Sequence, residues 1–187
     1  ETDIVLIDDG SLDSTAQIAR DSGAQVISHK TRAGYDAAII TGFNYALIRN
    51  YQWAITVDAD GQHATSNITY FLEAIEGSSN IDLLLGVREV FPRIGERIMS
   101  LLFKFIWGVS DPLCGLKGYR LDFCKKNAIK ICKTFDSIGT KIMLDYITHH
   151  AITLEIKVKI NDRRDTPRFG SAWRVNVRIL KSMTNIT

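Results

Sequence analysis

Cysteine is scarce in this 187-residue sequence, and neither sign of charge dominates it. Cys114, Cys124 and Cys132 are odd in number and lack CxxC spacing, which argues against a disulfide framework and against a zinc site built on paired cysteines. The sequence does not open on a secretory leader, so free thiols in a reducing compartment, the cytoplasm, are the expectation. A formal net charge of +2 lacks the clear basic excess of a domain that neutralises many phosphates, so nucleic acid is not an expected partner. No apolar run reaches the ~18 residues a spanning helix requires. The phosphate loop GxxxxGK[ST], a GxGxxG after a strand and the HExxH zinc helix are all missing, which argues against ATPase, dehydrogenase and metalloprotease chemistry. Asn67-Ile-Thr69 and Asn185-Ile-Thr187 match the N-glycosylation pattern, but such triplets arise often by chance and are set aside.

What the sequence does hold is 45% hydrophobic residues, enough for one globular unit with its own core. Asp3 to Ile7 is a short β-branched run ending in Asp8-Asp9-Gly10-Ser11, followed by helical spacing at Ala16, Ile18 and Ala19. Ser11 or Asp13 is placed to cap that helix and Gly23 to end it. The unit then repeats. Gln25–Ser28 reads as a strand, Tyr35–Asn50 as a helix, Trp53–Val57 as a strand, Ser66–Glu76 as a helix and Leu83–Val87 as a strand. Alternation of this kind predicts an α/β fold with a mainly parallel central sheet and helices on both faces. Ligands of such folds bind at the carboxyl ends of strands. Both acidic clusters, Asp8-Asp9 and Asp58-Asp60, fall at such ends, and they are expected to share one cleft.

In "TVDADGQH", from Thr56, an extended backbone would turn Asp58 and Asp60 to the same side, with Gln62 adding a neutral oxygen. Hard cations take such ligands, and magnesium is commonly held by one or two carboxylates together with substrate phosphates. An EF-hand is excluded by spacing, because the glycine stands fourth instead of sixth and Thr69 occupies the twelfth position. A solvated turn with a helix cap is the plain alternative, since Asp and Gly are ordinary turn residues.

Four blocks extend the pattern: "VLIDDGSLDST" from Val5, "RAGYDAAIITGFNYA" from Arg32, "ITVDADGQH" from Ile55 and "DPLCGLKGYR" from Asp111. In this order and at this spacing the chain resembles family 2 glycosyltransferases of the GT-A fold, in particular the dolichyl-phosphate mannose synthase and polyprenyl-phosphate glycosyltransferase branch. "PRFGSAWR", from Pro167, is similar to that branch's basic acceptor loop. The resemblance implies that Asp9, Arg32 and Gly34 lie by the nucleotide, and that Asp58, Asp60 and Gln62 hold Mg2+ or Mn2+ against its diphosphate. It further implies that Asp111 serves as a positioning group or base and that transfer inverts the anomeric carbon. Arg88 follows a strand, and Arg97 precedes Met99-Ser100 much as a phosphate-contacting arginine does in that branch; guanidinium forks suit phosphate oxygens.

Arg168 belongs to a basic tail with Arg163, Arg164, Arg174, Arg178 and Lys181, suited to anionic lipid or donor phosphates. Two departures stand out: Asp36 replaces a small residue, and "GSAWR" lacks the lysine that usually follows serine. The family's first strand and helix are not recognisable in the sequence, so the expectation is a single catalytic domain over residues 1–187 without them.

The apolar stretch from Ile94 to Val109, with scattered cations, suits either the bilayer interface or a core. The expected activity is a metal-dependent transfer from a GDP- or UDP-linked sugar to a polyprenyl phosphate, by a protein peripheral at the inner face of the membrane and serving cell-envelope polysaccharide. An inactive nucleotide-binding or scaffolding domain and a transferase acting on a soluble saccharide stay open. Oligomeric state is not legible.

Overall fold

The computed structural model describes residues 2–91, 93–132 and 137–161. It divides into two compact units, the first formed by Glu1–Tyr51 with Lys130–Gly139 and the second by Gln52–Ile129 with the chain from Thr140 onward. In the first unit β1 (Val5–Asp8), α1 (Thr15–Asp21), β2 (Gln25–Ser28) and α2 (Tyr35–Ile48) follow one another. β1 and β2 pair in parallel, in a register running from Val5 opposite Gln25 to Asp8 opposite Ser28. A parallel pair needs a crossover, and α1 supplies it. Asp13, and not Ser11, serves the start of α1: its carboxylate accepts the Thr15 N–H at 3.0 Å, whereas Ser11 donates its own N–H to Asp8. α2 stops at Ile48, two residues before the expected Asn50, because Asn50 turns to a left-handed φ of 57°.

The second unit holds β3 (Trp53–Thr56), α3 (Thr65–Gly77), β4 (Leu83–Arg88), α4 (Ile94–Trp107), β5 (Lys117–Arg120), α5 (Leu121–Lys126) and β6 (Thr153–Val158), together with most of α6 (Ile138–Thr148). Its sheet runs β3-β5-β4-β6. β4 and β6 pair in parallel, while β5 runs antiparallel to both β3 and β4, so three of the four strands share one direction. Leu83, Leu84 and Leu85 are wholly buried along β4, the continuous apolar run of a strand covered on both faces. Phe71, Leu84, Cys114, Leu116 and Val158 form a core against which Trp53, Ile55 and Ile156 pack. The mixed α/β architecture matches the expected fold class, with β5 as its antiparallel member. Among the described residues no helix is long and apolar enough to cross a membrane.

Candidate active site

In the first unit the candidate residues gather at the carboxyl ends of β1 and β2. Asp8 is buried, and the hydrogen bonds from Ser11 hold its carboxyl below the usual carboxylate range. Asp9 is the hub. Its Oδ1 accepts from the Ala33 N–H and pairs with His29 Nδ1, and its Oδ2 accepts from the Gly34 N–H, each at 2.8 Å. Burial opposes its charge, but the His29, Ala33 and Gly34 hydrogen bonds outweigh that and keep its pKa low. With Nδ1 carrying the proton, His29 Nε2 accepts from the Thr41 hydroxyl at 2.9 Å. Asp9 therefore shapes the loop that carries the exposed Arg32 and the Gly34 N-cap of α2. Gly10 makes the approach possible: its φ is +68°, and a Cβ there would stand 3.1 Å from the Arg32 nitrogen. Asp36, the departure from the family pattern, accepts the Ile138 N–H at 3.2 Å.

The second unit brings together a different set. β3 ends at Thr56, so strand alternation does not govern Asp58 and Asp60 as the sequence suggested. A turn governs them instead. Asp60 Oδ1 accepts the Gln62 N–H at 3.1 Å across Gly61, and α3 begins after Ala64 with no side-chain cap, so the acids do not serve that helix. Asp58 is exposed and rests against Gly115, where a Cβ would stand 2.6 Å from its Cγ. The Thr56 hydroxyl donates to the Gly115 carbonyl at 3.1 Å, and the buried Lys117 ammonium donates to the Cys114 carbonyl.

The far side of the acidic loop is tied to the end of β6. Gln62 accepts the Asn161 N–H through its carbonyl, His63 bridges Ile160, and Asn67 bonds both backbone groups of Lys159, at 2.7 and 3.0 Å. Asn67 is wholly buried. Burial lowers the His63 pKa against the pull of Asp58 and Asp60, and its Nδ1 has no hydrogen-bond partner among the described residues.

Arg88 and Asp111 form one device. Arg88 Nε and Nη2 fork onto Asp111 at 2.7 and 3.0 Å, and its backbone N–H adds a third bond at 3.1 Å. Nη1 lies 3.2 Å from Glu96, in the first turn of α4, where Arg93 also pairs. Asp111 is only 1% exposed. The Arg88 nitrogens expected to meet a phosphate are thus directed at carboxylates; burial disfavours the guanidinium charge, and Asp111 and Glu96 restore it and more. Arg97 is exposed, donating from Nε to the Phe91 carbonyl at 3.2 Å. Arg168 and the rest of the basic tail lie outside the described residues.

The model of the family described as glycosyl transferase family 2 matches residues 1–145. The chain belongs to glycosyl transferase family 2. It is 34% identical over 183 residues to the polyprenol monophosphomannose synthase of Mycolicibacterium smegmatis, covering 86% of this chain and 67% of that protein. It is also 34% identical over 139 residues to the undecaprenyl-phosphate mannosyltransferase of Micrococcus luteus, covering 65% of this chain and 56% of that one. The chain thus spans between about half and two thirds of these relatives' lengths. Among solved structures, glucosyl-3-phosphoglycerate synthase from Mycobacterium tuberculosis, in complex with Mn2+, UDP and glucosyl-3-phosphoglycerate, aligns with a TM-score of 0.72 at 15% identity, over 99% of this chain and 70% of that one. At that identity the likeness shows the shared GT-A-type fold.

Within this family 2 chain the structure adds residues the sequence reading passed over. His29 follows directly after β2, and the rule that ligands meet strand ends would have flagged it. Lys117 stood inside a quoted block; it is 6% exposed, and burial lowers its pKa against the charges of Cys114, Asp111 and Asp58. Gly115 and Asn67 carry no sequence signal of their own. Among the described residues no three His, Cys, Asp or Glu side chains gather as a closed metal site. Asp58 and Asp60 nevertheless fit a hard divalent ion that takes its other ligands from substrate, and the bare Gly115 surface is what admits the Asp58 carboxylate.

Proposed function

We propose that this chain is the catalytic domain of a metal-dependent, inverting glycosyltransferase that moves a sugar from a GDP- or UDP-linked donor to a polyprenyl phosphate. The observation that carries the reading is Asp58 lodged on Gly115 beside the Asp60 turn, in a chain whose relatives are named for polyprenyl-phosphate and polyprenol mannosyl transfer. That the chain acts as one domain is supported by the family match, which runs unbroken through the sequence of both units.

Asp58 and Asp60 would hold Mg2+ or Mn2+, with Gln62 assisting. The bound ion supplies Lewis-acid stabilisation of charge growing on the departing diphosphate. Asp9, Arg32 and Gly34 serve the nucleotide. The acceptor oxygen attacks the anomeric carbon as the bond to the diphosphate oxygen breaks, and that electron pair leaves with the diphosphate. A phosphate monoester acceptor, with its second pKa near 6, is largely ionised at neutral pH, so no side chain has to remove a proton. Asp111, its oxygens already accepting from Arg88, suits positioning and not base duty.

Membrane access is assigned to α4. Ile94, Ile98, Leu101, Leu102, Phe105 and Ile106 are exposed along one stripe, while Met99 and Phe103 are buried on the other side. Arg97 and Lys104, both exposed, lie along one margin of the stripe. Apolar residues edged by cations suit the plane of an anionic bilayer surface, and this supports peripheral attachment at the inner face.

The test is transfer from GDP- and UDP-linked sugars to polyprenyl phosphate by the full chain, with Mg2+ and with Mn2+. Asp58→Asn and Asp60→Asn should each abolish it. Unchanged turnover in both would remove the metal site from the account, and equal turnover with a soluble saccharide and no lipid would replace the acceptor.

A further inference from the structure

We infer that Gly115 is a positioning residue for the metal-binding carboxylate: its missing side chain is the space in which Asp58 is held. This rests on the proposed donor site at Asp58 and Asp60 and extends it to the opposite strand. The three atoms nearest to a Cβ built on Gly115 all belong to the Asp58 carboxylate group, with Cγ at 2.6 Å and Oδ1 at 3.0 Å. No backbone and no core side chain precedes them. A methyl group at this position therefore meets the Asp58 carboxylate before any other group, and that carboxylate is the proposed ligand.

Gly115 cannot retreat to make room. Its carbonyl accepts the Thr56 hydroxyl at 3.1 Å, Cys114 next to it accepts from the Lys117 ammonium, and Thr56 stands opposite Lys117 in the β3–β5 register. The segment is held on one side by Thr56 and on the other by β4, whose Gly86 N–H donates to the Leu116 carbonyl at 3.0 Å, while Asp58, past the end of β3, is exposed. Alanine at 115 accordingly turns Asp58 out of its seat and leaves the sheet intact. The backbone raises no objection, since Gly115 does not occupy the left-handed region. Supporting residues around metal ligands commonly control affinity by about 10–100-fold, and Gly115→Ala is expected to fall in that range.

The experiment is an electron paramagnetic resonance titration of Mn2+ with the full chain, in the presence of UDP and separately of GDP, alongside thermal unfolding without metal or nucleotide. Gly115→Ala should weaken nucleotide-dependent Mn2+ binding at least about tenfold while its unliganded unfolding midpoint stays within about 4 °C of the parent. Gly77→Ala, at the end of α3 where a Cβ meets nothing within 4 Å, should leave Mn2+ binding unchanged and raise the midpoint by no more than about 4 °C. Asp58→Asn separates the two levels of the argument. If Asp58→Asn binds Mn2+ and nucleotide as the parent does, the site reading fails and this inference with it. If Asp58→Asn loses binding and Gly115→Ala keeps it, the inference alone is overturned. Unfolding of Gly115→Ala would also overturn it, because more than Asp58 would then be giving way.

Discussion

Replacing Arg88 with methionine tests the electrostatic arrangement at the end of β4. Asp111 is 1% exposed and takes three hydrogen bonds from Arg88, two from the guanidinium and one from the backbone. Methionine fills similar space but removes the cation; among the described residues Asp111 then keeps the hydrogen bond from the backbone N–H and Glu96 keeps its pair with Arg93. Breaking a buried ion pair by removing one partner costs about 3–5 kcal/mol, because an uncompensated charge remains in the interior. An exposed pair would be worth only about 0–1 kcal/mol. Lysine keeps the charge without the fork, so Arg88→Lys should lose less.

Urea unfolding followed by tryptophan fluorescence, in a Trp173→Phe background, reads the second unit selectively, since Trp53 and Trp107 lie there and residues 1–51 and 130–139 contain no tryptophan. The double variant Arg88→Met/Asp111→Leu should recover part of the loss, with a coupling of about 0.5–3 kcal/mol. A loss below about 1 kcal/mol in Arg88→Met, or strict additivity in the double variant, would refute the reasoning.

Asn67→Ala removes both hydrogen bonds to the Lys159 backbone and should destabilise the second unit by about 1–3 kcal/mol in the same assay, at about 0.5–1.5 for each bond. Asp8 and Asp9 have folded pKa values below the ordinary 3.8, so below that pH the unfolded chain binds more protons. Their stabilisation is complete above about pH 4 and fades as pH falls through the lowered values; hydrogen exchange of the β1 and β2 amides should accelerate there, and less so in Asp9→Asn. Phe105, 90% exposed on α4, should be replaceable by glutamate with little change in stability but with loss of sedimentation with phosphatidylglycerol vesicles; undiminished binding would remove α4 from the membrane surface.

Period and composition made β1, β2, α2, β3 and β4 legible because each is a local apolar pattern bounded by turn residues. β5 was not legible: Lys117-Gly118 disfavours a strand, and the segment is one because β3 and β4 flank it. The acidic pair stood out in the sequence by its spacing, but its geometry was attributed to strand alternation when the strand had already ended at Thr56. Gly115 stands 57 residues beyond Asp58 in the sequence, and Asn67 reaches a backbone 92 residues away. Contacts of that span follow from the topology of the sheet, which no window of sequence contains. Asp111 was found from its motif, yet its commitment to Arg88 appears only when β4 and the 110–117 segment are side by side.

The most direct measurement is an anomalous-difference map from crystals of the full chain soaked with Mn2+ and UDP or GDP. The account predicts one manganese peak ligated by Asp58 and Asp60 oxygens at about 2.0–2.3 Å, with the diphosphate completing the shell. A manganese peak away from both carboxylates, or nucleotide bound in full occupancy with neither aspartate turned toward it, would contradict it.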